Sequence, residues 1–119
     1  VGGYTLTIVP DEATTRTISG DLLGDLFRLD GADRVIIDGR FGGSGRYLVF
    51  ANTRVGGAST FAFLNEATNN IIRYAELKGS TNNATKGVVL FGTSAAGTTG
   101  NSNNIIEYCE IHENGAALP

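Results

Sequence analysis

Asp30, Asp33 and Asp38 fall within nine positions of a 119-residue chain. Carboxylates this close together could hold a hard cation such as calcium or activate a sugar. Asp30-Gly31 and Asp38-Gly39 are also turn dipeptides. Asp33 suits a corner cap, so turn chemistry alone accounts for at least two of the three. Glu76 and Glu110, 34 positions apart, form a second carboxylate pair. A glycosidase needs such a pair at about 5 to 9.5 Å, depending on mechanism. Glu107, Glu110 and Glu113 have no basic neighbour and read equally as a solvated face. Cys109 and His112 are the chain's single cysteine and single histidine. They exclude an intramolecular disulfide and the common zinc sites built from His and Cys. A thiol nucleophile needs a base beside it. His112, three residues on, points elsewhere, which leaves Cys109 a small core residue. Tyr47, Tyr74 and Tyr108 are the aromatic candidates for carbohydrate contact.

Whatever positions these groups must be built from an unusual composition. Apolar residues make up 41% and charged residues 18%, enough to bury a core and too little charge for a disordered tail. The length is that of one domain, residues 1–119. Net charge is −3, and five of the seven arginines lie between 28 and 54, interleaved with aspartates rather than forming a basic stripe. A nucleic-acid surface is therefore not expected. No 18-residue apolar run suggests membrane insertion, and no signal peptide is evident. The chain has no Met and begins at Val1, which reads as a piece of a longer protein.

The organising feature is a repeat. Asn69-Asn-Ile-Ile-Arg-Tyr-Ala-Glu-Leu77 returns as Asn103-Asn-Ile-Ile-Glu-Tyr-Cys-Glu-Ile111, with six of nine positions identical. Upstream, 29–38 aligns with 64–73 at an offset of 35 and places Leu29 against Leu64. Helical arrays share this period. Seventeen glycines and abundant Thr, Asn and Ile argue against helices. The expected strands are 4–9, 16–18, 26–29, 35–37, 47–51, 61–64, 71–77, 88–91 and 105–111, with Gly/Ser/Thr/Asn loops between them. Alternation fails across 71–77 unless the chain turns a corner at Tyr74. Ile72, Ala75 and Leu77 then face inward, with Arg73 and Glu76 outward. The second copy follows with Ile106, Cys109 and Ile111.

Two short strands joined by a corner suit a coiled β-solenoid, whose equivalent residues stack about 4.8 Å apart. The expected core ladder is Leu29, Ile37, Leu64, Ile72, Ala75, Leu77, Ile106, Cys109 and Ile111. Ile36, Ile71 and Ile105 would form an apolar outward stripe, a candidate assembly face, unless the register shifts to place Ile71 inside. The equivalents of Asp30, Asp33 and Asp38 one coil on are Asn65, Thr68 and Arg73.

The segments 33–39, 69–77 and 100–111 resemble right-handed parallel β-helix repeats, over roughly 4–115 of the chain. They are most similar to those of large bacterial secreted or surface proteins of the type exported by type IX secretion, and are also similar to the pectate-lyase-like β-helix superfamily. That resemblance implies an all-β solenoid of about three to four coils, expected to be an uncapped fragment of a longer protein. It implies an extracellular or cell-surface stalk or adhesin-like body without catalysis, whose partners are neighbouring coils, other copies of the chain, or glycans. The alternative it carries is a polysaccharide lyase or hydrolase. A lyase site wants an Arg or Lys base facing carboxylates across successive coils, and Asn65, Thr68 and Arg73 depart from that pattern. No cofactor is expected, with calcium at Asp30, Asp33 and Asp38 the one metal considered.

Overall fold

Short β-branched and aromatic runs favour strands, and the Gly, Asn and Thr that break them every few residues end each strand early and turn the chain. The computed structural model describes residues 3–92 and 100–114. Within them lie eleven strands and no helix. They are β1 (Leu6–Ile8), β2 (Arg16–Gly20), β3 (Phe27–Asp30), β4 (Val35–Asp38), β5 (Leu48–Asn52), β6 (Phe61–Leu64), β7 (Ile71–Arg73), β8 (Ala75–Gly79), β9 (Val89–Phe91), β10 (Ile105–Glu107) and β11 (Glu110–Glu113). Every strand pair is parallel. Three sheets result, ordered β1-β4-β7-β10, β2-β5-β8-β11 and β3-β6-β9. The chain visits them in turn, making a parallel β-solenoid of about three turns, as the repeat implied.

Inward side chains stack coil on coil. Ile8, Ile37, Ile72 and Ile106 share one register, and Ile18, Phe50, Leu77 and Ile111 another. Phe50, Phe61 and Phe63 are wholly buried. Phe50 meets Phe61 edge-on at 4.9 Å, and Phe63 stacks on Phe91 at 4.5 Å. Each such ring removes some 150–250 Å² from water, so this aromatic column carries much of the burial.

The break expected at Tyr74 is present. β7 ends at Arg73, β8 starts at Ala75, and Tyr74 alone makes the corner at φ 52°; Tyr108 repeats it at φ 53°. Asn69 and Asn103 make the preceding corner at φ 58°. Left-handed backbone is rare outside Gly and Asn, so two tyrosines holding it mark a corner that packing imposes.

Three expectations need correction. Leu64 does not stack on Leu29: Phe63 takes that place, and Leu64 pairs with Asp30 and is half-buried. The cause is one extra corner residue. Gly31-Ala32 spans one coil's corner, whereas Asn65-Glu66-Ala67 spans the next, with Asn65 and Glu66 both left-handed. The strand offset of 34 thereby becomes 35 at Asp33 and Thr68. Ile111 keeps the core register but remains 49% exposed at the end coil, and Ile106 and Cys109 are only half-buried there. Nor is the period uniform: Leu48 pairs with Ala75, only 27 positions on. The coil of β4–β6 spends nine residues, 39–47, where the next spends Tyr74 alone.

Candidate functional site

The sites proposed from sequence fall on the corners and outer faces of this stack. Among the described residues Asp30, Asp33 and Asp38 are not gathered into a metal group; they bond separately, each to the residue 35 positions on. Asn65 Nδ2 donates to Asp30 Oδ1. Thr68 Oγ1 and Asn69 Nδ2 each donate to Asp33 Oδ1 at 3.0 Å. Those bonds, with Arg34 close by, lower the Asp33 carboxyl below its ordinary value. Arg73 Nε donates to Asp38 Oδ2 at 2.9 Å.

Asp38 is the most heavily engaged of the three. Arg40 Nε and Nη2 grip its carboxylate at 3.0 and 2.6 Å, and the Arg40 backbone N–H adds a bond at 3.0 Å. These bonds, with Arg73 beside them, hold its carboxyl at about 2. The Arg40 guanidinium then lies over the Tyr74 ring at 4.4 Å, and Tyr74 stacks on Tyr108 at 4.9 Å and 17°. The column Asp38–Arg40–Tyr74–Tyr108 runs along the corner. Both faces of Tyr74 are therefore occupied, and the outer face of Tyr108, 64% exposed, is the free one. Tyr47 does not join the stack; it is half-buried with its ring against Gly45. An open hollow of about 370 Å³, lined by Val9, Pro10, Asp38, Arg40, Phe41, Gly42 and Gly43, flanks the column. Among its described lining residues Asp38 is the acid, and with both Arg40 and Arg73 clamping it, it is poorly placed to act on a sugar.

Ile36, Ile71 and Ile105 share a register on the outside of the first sheet, beside the inward Ile37, Ile72 and Ile106. The register is not shifted: Ile72 is wholly buried, Ile36 and Ile71 are half-buried and Ile105 is 45% exposed. Cys109 Sγ donates to the Glu107 carbonyl at 3.3 Å, and burial pushes its thiol up. A thiol in that state is a poor nucleophile.

Sequence reasoning missed two groupings. Glu110 stacks on Glu76 as expected, but His112 joins them, its Nε2 2.6 Å from Glu76 Oε2. Contact with Glu76, and then the Glu113 carbonyl, raises the imidazole above its ordinary value. Two-residue alternation from Glu110 was the available signal, since it returns His112 to the same face. The second grouping is structural. Asn70 is wholly buried: its Oδ1 accepts from Val35 N at 2.9 Å, and its Nδ2 donates to Ala32 O at 2.9 Å and to Asn104 Oδ1 at 3.0 Å. Asn52, 1% exposed, similarly accepts from Leu22 N at 3.1 Å and donates to Gly24 O at 3.0 Å. The repeated Asn-Asn hinted at the first ladder.

Comparison of the chain with protein families, curated proteins and solved structures finds no match.

Proposed function

We propose that this chain is a non-catalytic structural module of an extracellular β-helix, which works by stacking its coil ends onto further β-solenoid coils. The observation that carries the reading is the state of its ladders at the ends. Leu77 is wholly buried, but Ile111 directly beyond it is 49% exposed. Phe63 is wholly buried, and Phe91 beyond it is 50% exposed. At the opposite end Ile18, paired with buried Phe50, is 42% exposed. Each end thus offers apolar side chains already in core register beside a parallel strand edge, the arrangement that recruits another strand. Extracellular placement, and a relation to secreted bacterial stalks, rest on the resemblance of the repeat motifs.

Carbohydrate binding is the second reading, favoured by one feature, the open face of Tyr108. It is weakened by the burial of Tyr74 between Arg40 and Tyr108, which leaves no row of rings for a glycan to lie on.

Sedimentation velocity against protein concentration and salt tests the first reading. Residues 1–25 and 101–119 each carry a net charge of −3, so like-charged ends repel and added salt should promote association. Ile111→Asp and Ile18→Asp should each suppress it while leaving the far-ultraviolet circular dichroism unchanged. A chain that stays monomeric at high concentration and high salt, or association indifferent to both substitutions, counts against the stacking module. Saturable binding of an oligosaccharide, lost in Tyr108→Ala, would instead support the second reading.

A further inference from the structure

Glu76, Glu110 and His112 lie on the outer face where β8 and β11 run side by side. Along β8, Ala75, Leu77 and Gly79 are buried while Glu76 and Lys78 turn outward. β11 follows in register, with Glu110 paired to Glu76 and His112 to Lys78. One ligand atom from each of the three acid and imidazole side chains lies within 4.8 Å of the other two. Small side-chain rotations bring such atoms onto one ion at about 2.0–2.2 Å.

Two details of His112 point to a cation. Its Nδ1 sits 2.8 Å from the Glu113 carbonyl oxygen. A carbonyl only accepts, so Nδ1 carries the hydrogen. Nε2 then faces Glu76 Oε2 at 2.6 Å. Two lone-pair atoms at that separation repel unless a positive centre stands between them. A proton fills that role in the metal-free chain, and a divalent ion fills it when Glu110 closes in as a third ligand. A histidine whose second nitrogen is tied to a carbonyl is also already oriented for a metal.

We propose that Glu76, Glu110 and His112 form a surface site for a divalent first-row transition cation of the zinc class, with water completing its coordination. One imidazole with two carboxylates selects such ions over calcium or magnesium, which take oxygen ligands alone. Arg46 Nη1 holds Glu110 Oε1 at 2.7 Å and leaves the other carboxylate oxygen for the ion. Lys78 Nζ, 3.7 Å from Glu76 Oε2, opposes the bound charge and limits affinity. The ion would cross-link β8 to β11 and so fasten the end coil.

Calorimetric titration of Zn2+ into the untagged chain tests this. One equivalent should bind saturably, and the thermal midpoint should rise with Zn2+ because the site exists only in the folded chain. His112→Gln and Glu76→Gln should each weaken binding by about tenfold or more. Lys78→Gln, which removes a like charge beside a divalent ion, should tighten it by about fivefold or more. Cys109→Ala should change nothing, and Ca2+ should not compete. Circular dichroism of the metal-free variants establishes that they fold. Cu2+ paramagnetic resonance on the unmodified chain gives a variant-free check, with coupling to a single nitrogen expected. Absence of saturable binding, equal binding by His112→Gln, or a copper signal without nitrogen coupling would each overturn the proposal.

Discussion

Replacing Asn70 with alanine should destabilise the chain far more than its polar character suggests. The amide is wholly buried and serves the coil beneath it, accepting from Val35 N and donating to Ala32 O. In Asn70→Ala the Val35 N–H loses this partner, while the Ala32 carbonyl keeps its bond from Thr68 N at 2.9 Å. A buried polar group left unpaired costs about 1–3 kcal/mol. Val35 is buried, so the full penalty applies there; the Ala32 carbonyl, still bonded by Thr68 N, adds little. The expected cost is therefore about 1–3 kcal/mol, a sizeable share of the 5–15 kcal/mol typical of a domain. Asn104→Ala, the same position on the half-buried end coil, should cost less. Asn70→Asp separates hydrogen bonding from size. A carboxylate still accepts from Val35 N but faces the oxygens of Ala32 and Asn104. It should be worse than alanine at pH 7 and improve as pH falls, because burial favours the protonated acid in the folded state. Urea unfolding followed by circular dichroism measures all three. Should Asn70→Ala lie within about 0.5 kcal/mol of the parent, as surface substitutions do, the asparagine ladder is not what closes this corner.

The Asp38 carboxyl, held at about 2 rather than 3.8 by Arg40 and Arg73, should contribute about 2 kcal/mol near neutral pH. Because its folded value is depressed, that contribution is present above pH ~4 and lost as pH falls toward ~2; Asp38→Asn should flatten this limb of the acid-unfolding curve. Gly39→Ala would put a Cβ 1.8 Å from the Tyr74 carbonyl oxygen, so the neighbouring coil's backbone must move. A loss of about 2–3 kcal/mol is expected, read as a thermal midpoint some 10 °C or more lower. Gly42→Ala, with no atom within 4 Å but φ at +60°, should cost only about 1 kcal/mol.

The sequence by itself determined the winding. Repeated Asn-Asn-Ile-Ile and the failure of alternation at Tyr74 were sufficient to place Ile37, Ile72 and Ile106 in one ladder and to locate the corner. Those features are local, because side-chain alternation and turn preference act over a few residues. They also made the pairing of Asp30, Asp33 and Asp38 with Asn65, Thr68 and Arg73 legible. Only the tertiary structure decided how unequal coils close. Phe63 rather than Leu64 stacks on Leu29, since register across a sheet is set by which side chains fill the core, and an extra left-handed corner residue absorbs the difference. Nor could one strand's pattern show that Arg40 reaches Tyr74, or that His112 meets Glu76 on the neighbouring strand. Those contacts depend on which loops lengthen and on what lies one coil above, and loop length is weakly constrained by the energetics of winding.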